Sequence, residues 1–286
     1  MSLHYDLHSH STHSDGTLSP AELVRRAQAH GVDVLALTDH DTTQGCRAAA
    51  AMAQSLDMHF VAGVEISVTW SGTTLHILGL GVDPDAAALQ RGLAGLAEHR
   101  DARALEIGRR LTKHGIPGTF EGAQAQAGDA RVGRTHFARF LVAQGLVRDA
   151  HEAFKRFLGR GAPGHVSGEW ATLEQAVQWV TDAGGQAVIA HPARYRLTAT
   201  RLRRLVGEFK DCGGVGMEVV SGSHSRDEIL TFGNYARQFG LLASAGSDYH
   251  GPTNPWVELG RLSALPAGCA PVWADWGLPA RAAEVS

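Results

Sequence analysis

Short apolar runs closed by polar clusters alternate with segments of helical period along most of the chain. Residues 3–7 read as a strand. Ser19 and Pro20 then place an N-cap and a first-turn proline on a helix that runs to Gly31. Residues 32–38 form a run of buried-strand type, followed by an alanine-rich helix near 43–56. Residues 59–64 and 65–70 are extended, and Ser71-Gly72 marks a hairpin turn into 74–82. Asp83-Pro84 opens a helix over about 85–114, and the helical pattern persists to Leu158. Alternation then resumes: helices at 173–183, 199–210 and 226–239, strands at 186–190, 215–220 and 241–245. Signals are weak beyond Pro252. Strands followed by helices on both sides of a helical stretch predict an α/β protein, a (β/α) barrel with a helical insertion. The barrel would comprise 1–83 and 165–286, and the insertion 84–164.

Composition narrows the picture. With 286 residues, 44% hydrophobic and 19% charged, the chain can bury a large core, and a net charge of −3 excludes a globally basic nucleic-acid binder. Neither a membrane span nor a secretory leader is expected from the apolar runs or the polar first ten residues. Three scattered cysteines, Cys46, Cys212 and Cys269, argue against a disulfide frame or a thiolate zinc site and suit a reducing cytoplasm. Charge is unevenly distributed. Between Arg91 and Arg160 there are 13 Lys/Arg against seven Asp/Glu, a balance of +6, while the rest of the chain carries 13 against 22, or −9. A basic insertion beside an acidic barrel suits an anionic substrate.

The anomaly is 16 histidines. Asp6-Leu7-His8-Ser9-His10 ends the first strand, with Asp15 on a Ser-Asp-Gly turn; Thr38-Asp39-His40-Asp41 ends the second. Gly63-Val64-Glu65 follows, and Ser247-Asp248-Tyr249-His250 ends the last strand, while His76 and Ala190-His191-Pro192 add two imidazoles. Alternate strand residues share a face, so His8 with His10, and Asp248 with His250, can aim at one ion. In a parallel barrel the C-terminal strand ends meet at one mouth. Imidazole and carboxylate without thiolate suit manganese, iron or zinc, manganese first.

These motifs, together with Thr17-Leu18-Ser19-Pro20 and Gly133-Arg134-Thr135-His136, resemble the PHP (polymerase and histidinol phosphatase) family, and within it the stand-alone phosphatases acting on nucleotides, some on 3′,5′-nucleoside bisphosphates. The family often has proline where Thr135 stands. The resemblance implies a distorted seven-stranded (β/α) barrel and two to three divalent ions. It assigns His8, His10, Glu65 and Asp248 to one ion, Asp15, His40 and His250 to a second, and Glu65, His76 and His191 to a third, with Glu65 bridging. A bridging carboxylate also fits the lysine inventory: Lys113, Lys155 and Lys210 all fall in helix-like segments. Asp39 is expected to orient His40 or carry a proton, or else to be a turn carboxylate.

In the insertion, Arg134 and His136 enter a helix where a phosphate can be held, and Arg100 and Arg103, one turn apart, suit a second phosphate. Arg194 after His191, and more weakly His224, are further substrate candidates. Phe137, Phe140, Phe154 and Phe157 read as the insertion's core, and Trp256, Trp273 and Trp276 as anchors for the C-terminal tail. Glu218 ends a strand and could face the site, but no motif requires it. The expected activity is a metal-dependent phosphomonoesterase on a nucleoside bisphosphate. The competing readings are a 5′-to-3′ exoribonuclease acting on short RNA, a non-catalytic accessory module, and a C–N hydrolase, which the missing bridging lysine disfavours. No obligate protein partner is evident.

Overall fold

The computed structural model describes residues 3–278. Seven strands follow one another around a single sheet in chain order: β1 Tyr5–Asp6, β2 Val34–Leu37, β3 His59–Trp70, β4 Thr73–Leu80, β5 Gln186–Ile189, β6 Gly216–Ser221 and β7 Leu242–Gly246. Pairing is parallel except for β3–β4 and β4–β5. That exception is the hairpin expected at Ser71-Gly72, whose φ angles of 44° and 72° give the left-handed turn a two-residue hairpin needs. The ring closes where Leu7 N donates to Ala245 O (3.0 Å) and Asp248 N donates to His8 O (2.8 Å). This is the expected seven-stranded barrel.

Period-2 alternation explains what faces inward. Leu7, Val34, Ala36, Val61, Leu78, Leu80, Val188 and Ala190 form one apolar plug, while the intervening Leu35, Leu37, Ile77 and Ile189 pack outward beneath helices. Continuing the same parity, the next inward positions on β3 are Gly63 and Glu65. On β4 the next is His76, and beyond β2 they are Thr38 and His40. The plug therefore seals the barrel below and presents polar side chains above.

Outside lie α1 Pro20–Ala29 and α2 Cys46–Ser55 over β2, and α7 Leu173–Asp182, α8 Ala199–Asp211 and α9 Arg226–Phe239 over the other strands. Ser19 and Ser225 each close a capping box, with Pro20 at the first turn of α1. Between β4 and β5 run α3 Ala87–Lys113, α4 Thr119–Ala127, α5 Arg134–Ala143, the single turn α6 Ala150–Ala153 and a π-helical turn Phe154–Leu158. Helix α3 belongs to two cores. Leu89, Leu93 and Leu96 pack with the barrel's outer layer, whereas Ala104, Ile107 and Leu111 pack with Phe137, Leu141 and Phe157. A continuous 27-residue helix, rather than a linker, thus ties the two parts together.

Tyr5 stacks on Trp273 at 4.2 Å, and Trp276 Nε1 donates to Gln186 Oε1 (2.9 Å), so these two tryptophans seat the tail. Trp256 does not: it is 88% exposed. No helix among the described residues is long and apolar enough to cross a membrane. Gly246 marks a close approach between β7 and the chain after β1. A Cβ there would collide with His8 Cβ and lie 2.8 Å from Glu218 Oε1. Gly246→Ala is expected to lower unfolding free energy by about 1–3 kcal/mol, measured by urea denaturation without added metal.

Candidate metal centre

All nine candidate ligands meet at the mouth. Glu65, fully buried, stands at the middle. Its Oε2 lies 3.3 Å from His8 Nε2, 3.2 Å from His10 Nε2 and 3.0 Å from His40 Nδ1. Its Oε1 lies 2.7 Å from His76 Nδ1 and 2.9 Å from His191 Nε2. Asp248 Oδ1 is 3.4 Å from His8 Nε2 and 3.2 Å from His10 Nε2. Asp15 Oδ1 is 3.1 Å from His250 Nε2 and 3.8 Å from His40 Nε2. Three overlapping groups have donor atoms close enough to share an ion: His8, His10, Glu65 and Asp248; His10, Asp15, His40 and His250; and His40, Glu65 and His76. The grouping thus differs from the expected map in giving His10 and His40 to two groups each. His191 reaches the cluster through Glu65 Oε1.

Hydrogen bonding alone does not account for these atoms. His8 Nε2 and His10 Nε2 face each other at 3.1 Å, and the two carboxylates around them complete donor spacings of 3.2–3.4 Å. Ligands about 2.0–2.1 Å from one tetrahedral ion are about 3.3 Å apart. Asp15 Oδ1, His40 Nδ1, Glu65 Oε2 and His191 Nδ1 are buried without a directed hydrogen bond among the described residues. Buried, unsatisfied, convergent oxygen and imidazole donors fit divalent cations.

The electrostatics agree. Burial would raise Glu65, Asp15 and Asp248, but the imidazoles around them, and Arg194 for Asp248, hold all three carboxyls well below their ordinary range. Burial would likewise lower His8 and His10. The carboxylates outweigh it, lifting His8 well above its usual value and His10 to about 10. Burial wins at His191, which falls to about 4, and lowers His40.

Contacts behind these donors fix their direction. Glu218, wholly buried on β6, accepts from His8 Nδ1 (2.9 Å) and from His191 N–H (2.6 Å). His191 has φ 25° and Asp248 φ 57°, conformations that need such support. The sequence lets Glu218 face the site without any motif requiring it, although a carboxylate inside the apolar run Met217-Glu218-Val219-Val220 is itself a signal. Asp39 accepts from Ser11 N (2.7 Å), Ser11 Oγ (2.6 Å) and Ser14 Oγ (2.5 Å), pinning the loop between His10 and Asp15. Asp6 accepts from Ser247 N (2.8 Å) and Tyr195 Oη from His76 N (2.8 Å).

A cleft of about 560 Å³ opens from this floor beneath the helical segment, lined by Asp15, His40 and His76 below and by Arg100, Arg103, Arg134, His136, Phe154 and Trp170 opposite. Arg100 Nε donates to Asp41 Oδ2 (2.6 Å) and its Nη2 to Ser67 Oγ (3.0 Å). Arg103 donates to Val166 O (3.0 Å), and both guanidiniums lie over Trp170. Arg134 lies over Phe154, 5.5 Å from its ring, and its guanidinium has no hydrogen-bond partner among the described residues. Burial and the neighbouring Arg134 and Arg100 push Arg103 down to about 9, the mark of crowded cations. His136 Nδ1 accepts from Gly133 N–H (2.9 Å), which fixes the proton on Nε2, and burial drops its pKa to about 4. It is a neutral donor at physiological pH.

Two substrate candidates lie elsewhere. Arg194 does not line the cleft: its Nη2 is 2.5 Å from Asp248 Oδ2 and its Nε donates to Ser223 Oγ (3.2 Å). His224 is turned away from the cleft. Its Nδ1 donates to Val219 O (3.0 Å) and its ring stacks on Phe232, because the turn after β6 folds back over α9.

A barrel whose strand ends gather imidazoles and carboxylates around one buried glutamate is the frame of a metal-dependent hydrolase. The chain belongs to the PHP domain family, whose model matches residues 6–155. It is 46% identical over 271 residues to a 3′,5′-nucleoside bisphosphate phosphatase of Chromobacterium violaceum, covering 94% of this chain and 95% of that one. It is 45% identical over 282 residues to the 5′-3′ exoribonuclease Rnm of Escherichia coli, covering 98% and 96%. Among solved structures, an amidohydrolase from Chromobacterium violaceum, with bound sulfate and no metal, superposes with a TM-score of 0.91 at 47% identity over 94% of each chain. A structure described as a metal-dependent phosphoesterase, from Bifidobacterium adolescentis, gives 0.81 at 26% identity over 96% of this chain and 94% of that one.

Because His10 without metal holds its proton up to about pH 10, binding a cation at neutral pH must displace protons. Apparent Mn²⁺ affinity should therefore rise from pH 6 to 8, and calorimetry in buffers of different ionisation enthalpy should show proton release. Glu218→Gln should weaken Mn²⁺ binding by about 10- to 100-fold in the same titration.

Proposed function

We propose that this protein is a metal-dependent phosphomonoesterase that removes the 3′-phosphate from nucleoside 3′,5′-bisphosphates, releasing the 5′-monophosphate and inorganic phosphate. One observation carries the reading. A buried donor cluster and three crowded arginines face each other across a single cleft, so one phosphate can sit on each side. The 46% identity to a bisphosphate phosphatase over nearly the whole chain supports it.

In this reading residues 1–83 and 165–286 form the metal-bearing barrel and 84–164 the substrate-binding insertion. His8, His10, Asp15, His40, Glu65, His76, His191, Asp248 and His250 hold two to three ions, with Glu65 shared. Manganese, iron and zinc all suit this mixed imidazole and carboxylate set, and manganese is the expected ion. Bound cations supply Lewis acidity toward the phosphoryl oxygens and toward water. Arg134 and the neutral Nε2–H of His136 hold the phosphate that is not cleaved, and Arg100 and Arg103 add positive potential from α3. Trp170, fixed under two guanidiniums, borders the space left for the nucleoside. In the reaction a water oxygen bonds to phosphorus as the P–O3′ bond breaks, and the water's proton leaves while the 3′-oxygen gains one. Asp39 acts by holding the Ser11–Ser14 loop, and Arg194 by holding Asp248. Three cysteines without disulfide partners suit the cytoplasm.

The exoribonuclease reading draws on three relatives of 44–46% identity that bear that name. The surface charge favours a small substrate. Arg109 and Arg110 pair with Glu106, Arg148 and Arg156 with Glu152, and Arg131 with Asp101, which breaks up a basic track. The deciding assay is phosphate release with Mn²⁺ from mononucleotides, bisphosphates, histidinol phosphate and short RNA. Preference for a 3′,5′-bisphosphate is expected, and stepwise shortening of RNA without it would transfer the assignment to the second reading. Glu65→Gln should reduce kcat on the order of a thousandfold while the circular dichroism spectrum stays that of the parent.

A further inference from the structure

We infer that Thr135 is a positioning residue for metal binding, locking Asp15 as a one-oxygen ligand by holding the other oxygen from the insertion. This rests on the metal-centre reading above. Asp15 lies on the loop after β1 and its two carboxylate oxygens have different surroundings. Oδ1 faces His250 Nε2 at 3.1 Å and is buried without a directed hydrogen bond. Oδ2 accepts from Thr135 Oγ1 at 2.8 Å, a contact that bridges 120 positions of sequence. The main chain of the same residue is held as well: Arg139 Nη2 donates to Asp15 O at 2.5 Å. Thr135 and Arg139 are one helical turn apart on α5, so both grips come from one rigid element.

A carboxylate beside an ion swings between one- and two-oxygen ligation unless its second oxygen is occupied, and groups that hold the remote atom of a ligand set the affinity. The hydroxyl of Thr135 supplies that hold. Because α5 also begins with Arg134 and carries His136, both in the cleft wall, the helix that faces the substrate also sets one ligand of the Asp15, His40 and His250 group. Docking of α5 and occupancy of that group are therefore linked.

The test is Mn²⁺ titration of the metal-free full-length protein, followed by calorimetry and by the electron paramagnetic resonance of free Mn²⁺. Thr135→Val and Thr135→Ala should weaken one class of sites about 10- to 100-fold and leave the other unchanged. Thr135→Ser, which keeps the hydroxyl, should bind within about twofold of the parent. In the phosphatase assay the Mn²⁺ concentration for half activity should rise for valine while KM at saturating Mn²⁺ stays put. Parent-like Mn²⁺ binding by the valine and alanine variants overturns the inference, as does a serine variant as weak as valine. Absence of Mn²⁺ binding by the parent protein would instead overturn the metal-centre reading itself.

Discussion

One buried carboxylate organises this molecule. Glu65 sits where the barrel's apolar plug ends, with five imidazole nitrogens within 3.3 Å of its two oxygens and no solvent to share them. A buried charge of this kind is costly unless opposite charge is fixed around it. The surrounding histidines and Asp248 do not cancel neatly: some imidazoles are driven toward protonation and others toward neutrality in the same few ångströms. Such a cluster is poorly satisfied by protons and well matched to divalent cations. That mismatch is the physical content of the functional assignment.

The rest of the fold keeps these groups from relaxing. Gly246 lets β7 approach His8, and Glu218 ties His8 to the strained backbone of His191. Asp39 staples the loop that separates His10 from Asp15. Helix α3 contributes to two hydrophobic cores, so Arg100 is set at their junction and bonded to Asp41 and Ser67 of the barrel. The cleft wall and the cleft floor are consequently parts of one rigid frame, which suits a substrate held at two points.

Much of this was legible in the chain because most of the candidate ligands cluster just past strand ends. His8 with His10 and Asp248 with His250 repeat at the spacing expected of alternate strand residues, and the strand ends bring them together, although Asp248 does so from a left-handed backbone rather than an extended one. The hairpin was legible from its turn residues. Glu218 was not, since its role depends on β6 lying beside both β1's continuation and His191 in space. His224 was misread for the converse reason: a histidine just past a strand end points into the mouth only if its turn does, and this turn packs its ring on Phe232. The sharing of His10 and His40 between donor groups also depends on angles that spacing alone does not carry. Trp256 shows that an aromatic near the end of a chain need not anchor it.

The central claim is that Glu65 is shared between cations. Diffraction from crystals grown with Mn²⁺, recorded near the manganese edge, tests it directly. Anomalous peaks should appear on both sides of the Glu65 carboxylate, one among His8, His10 and Asp248 and another beside His40, His76 and His191. Peaks confined to surface carboxylates, with the side chains around Glu65 arranged as here and no ion among them, would contradict it.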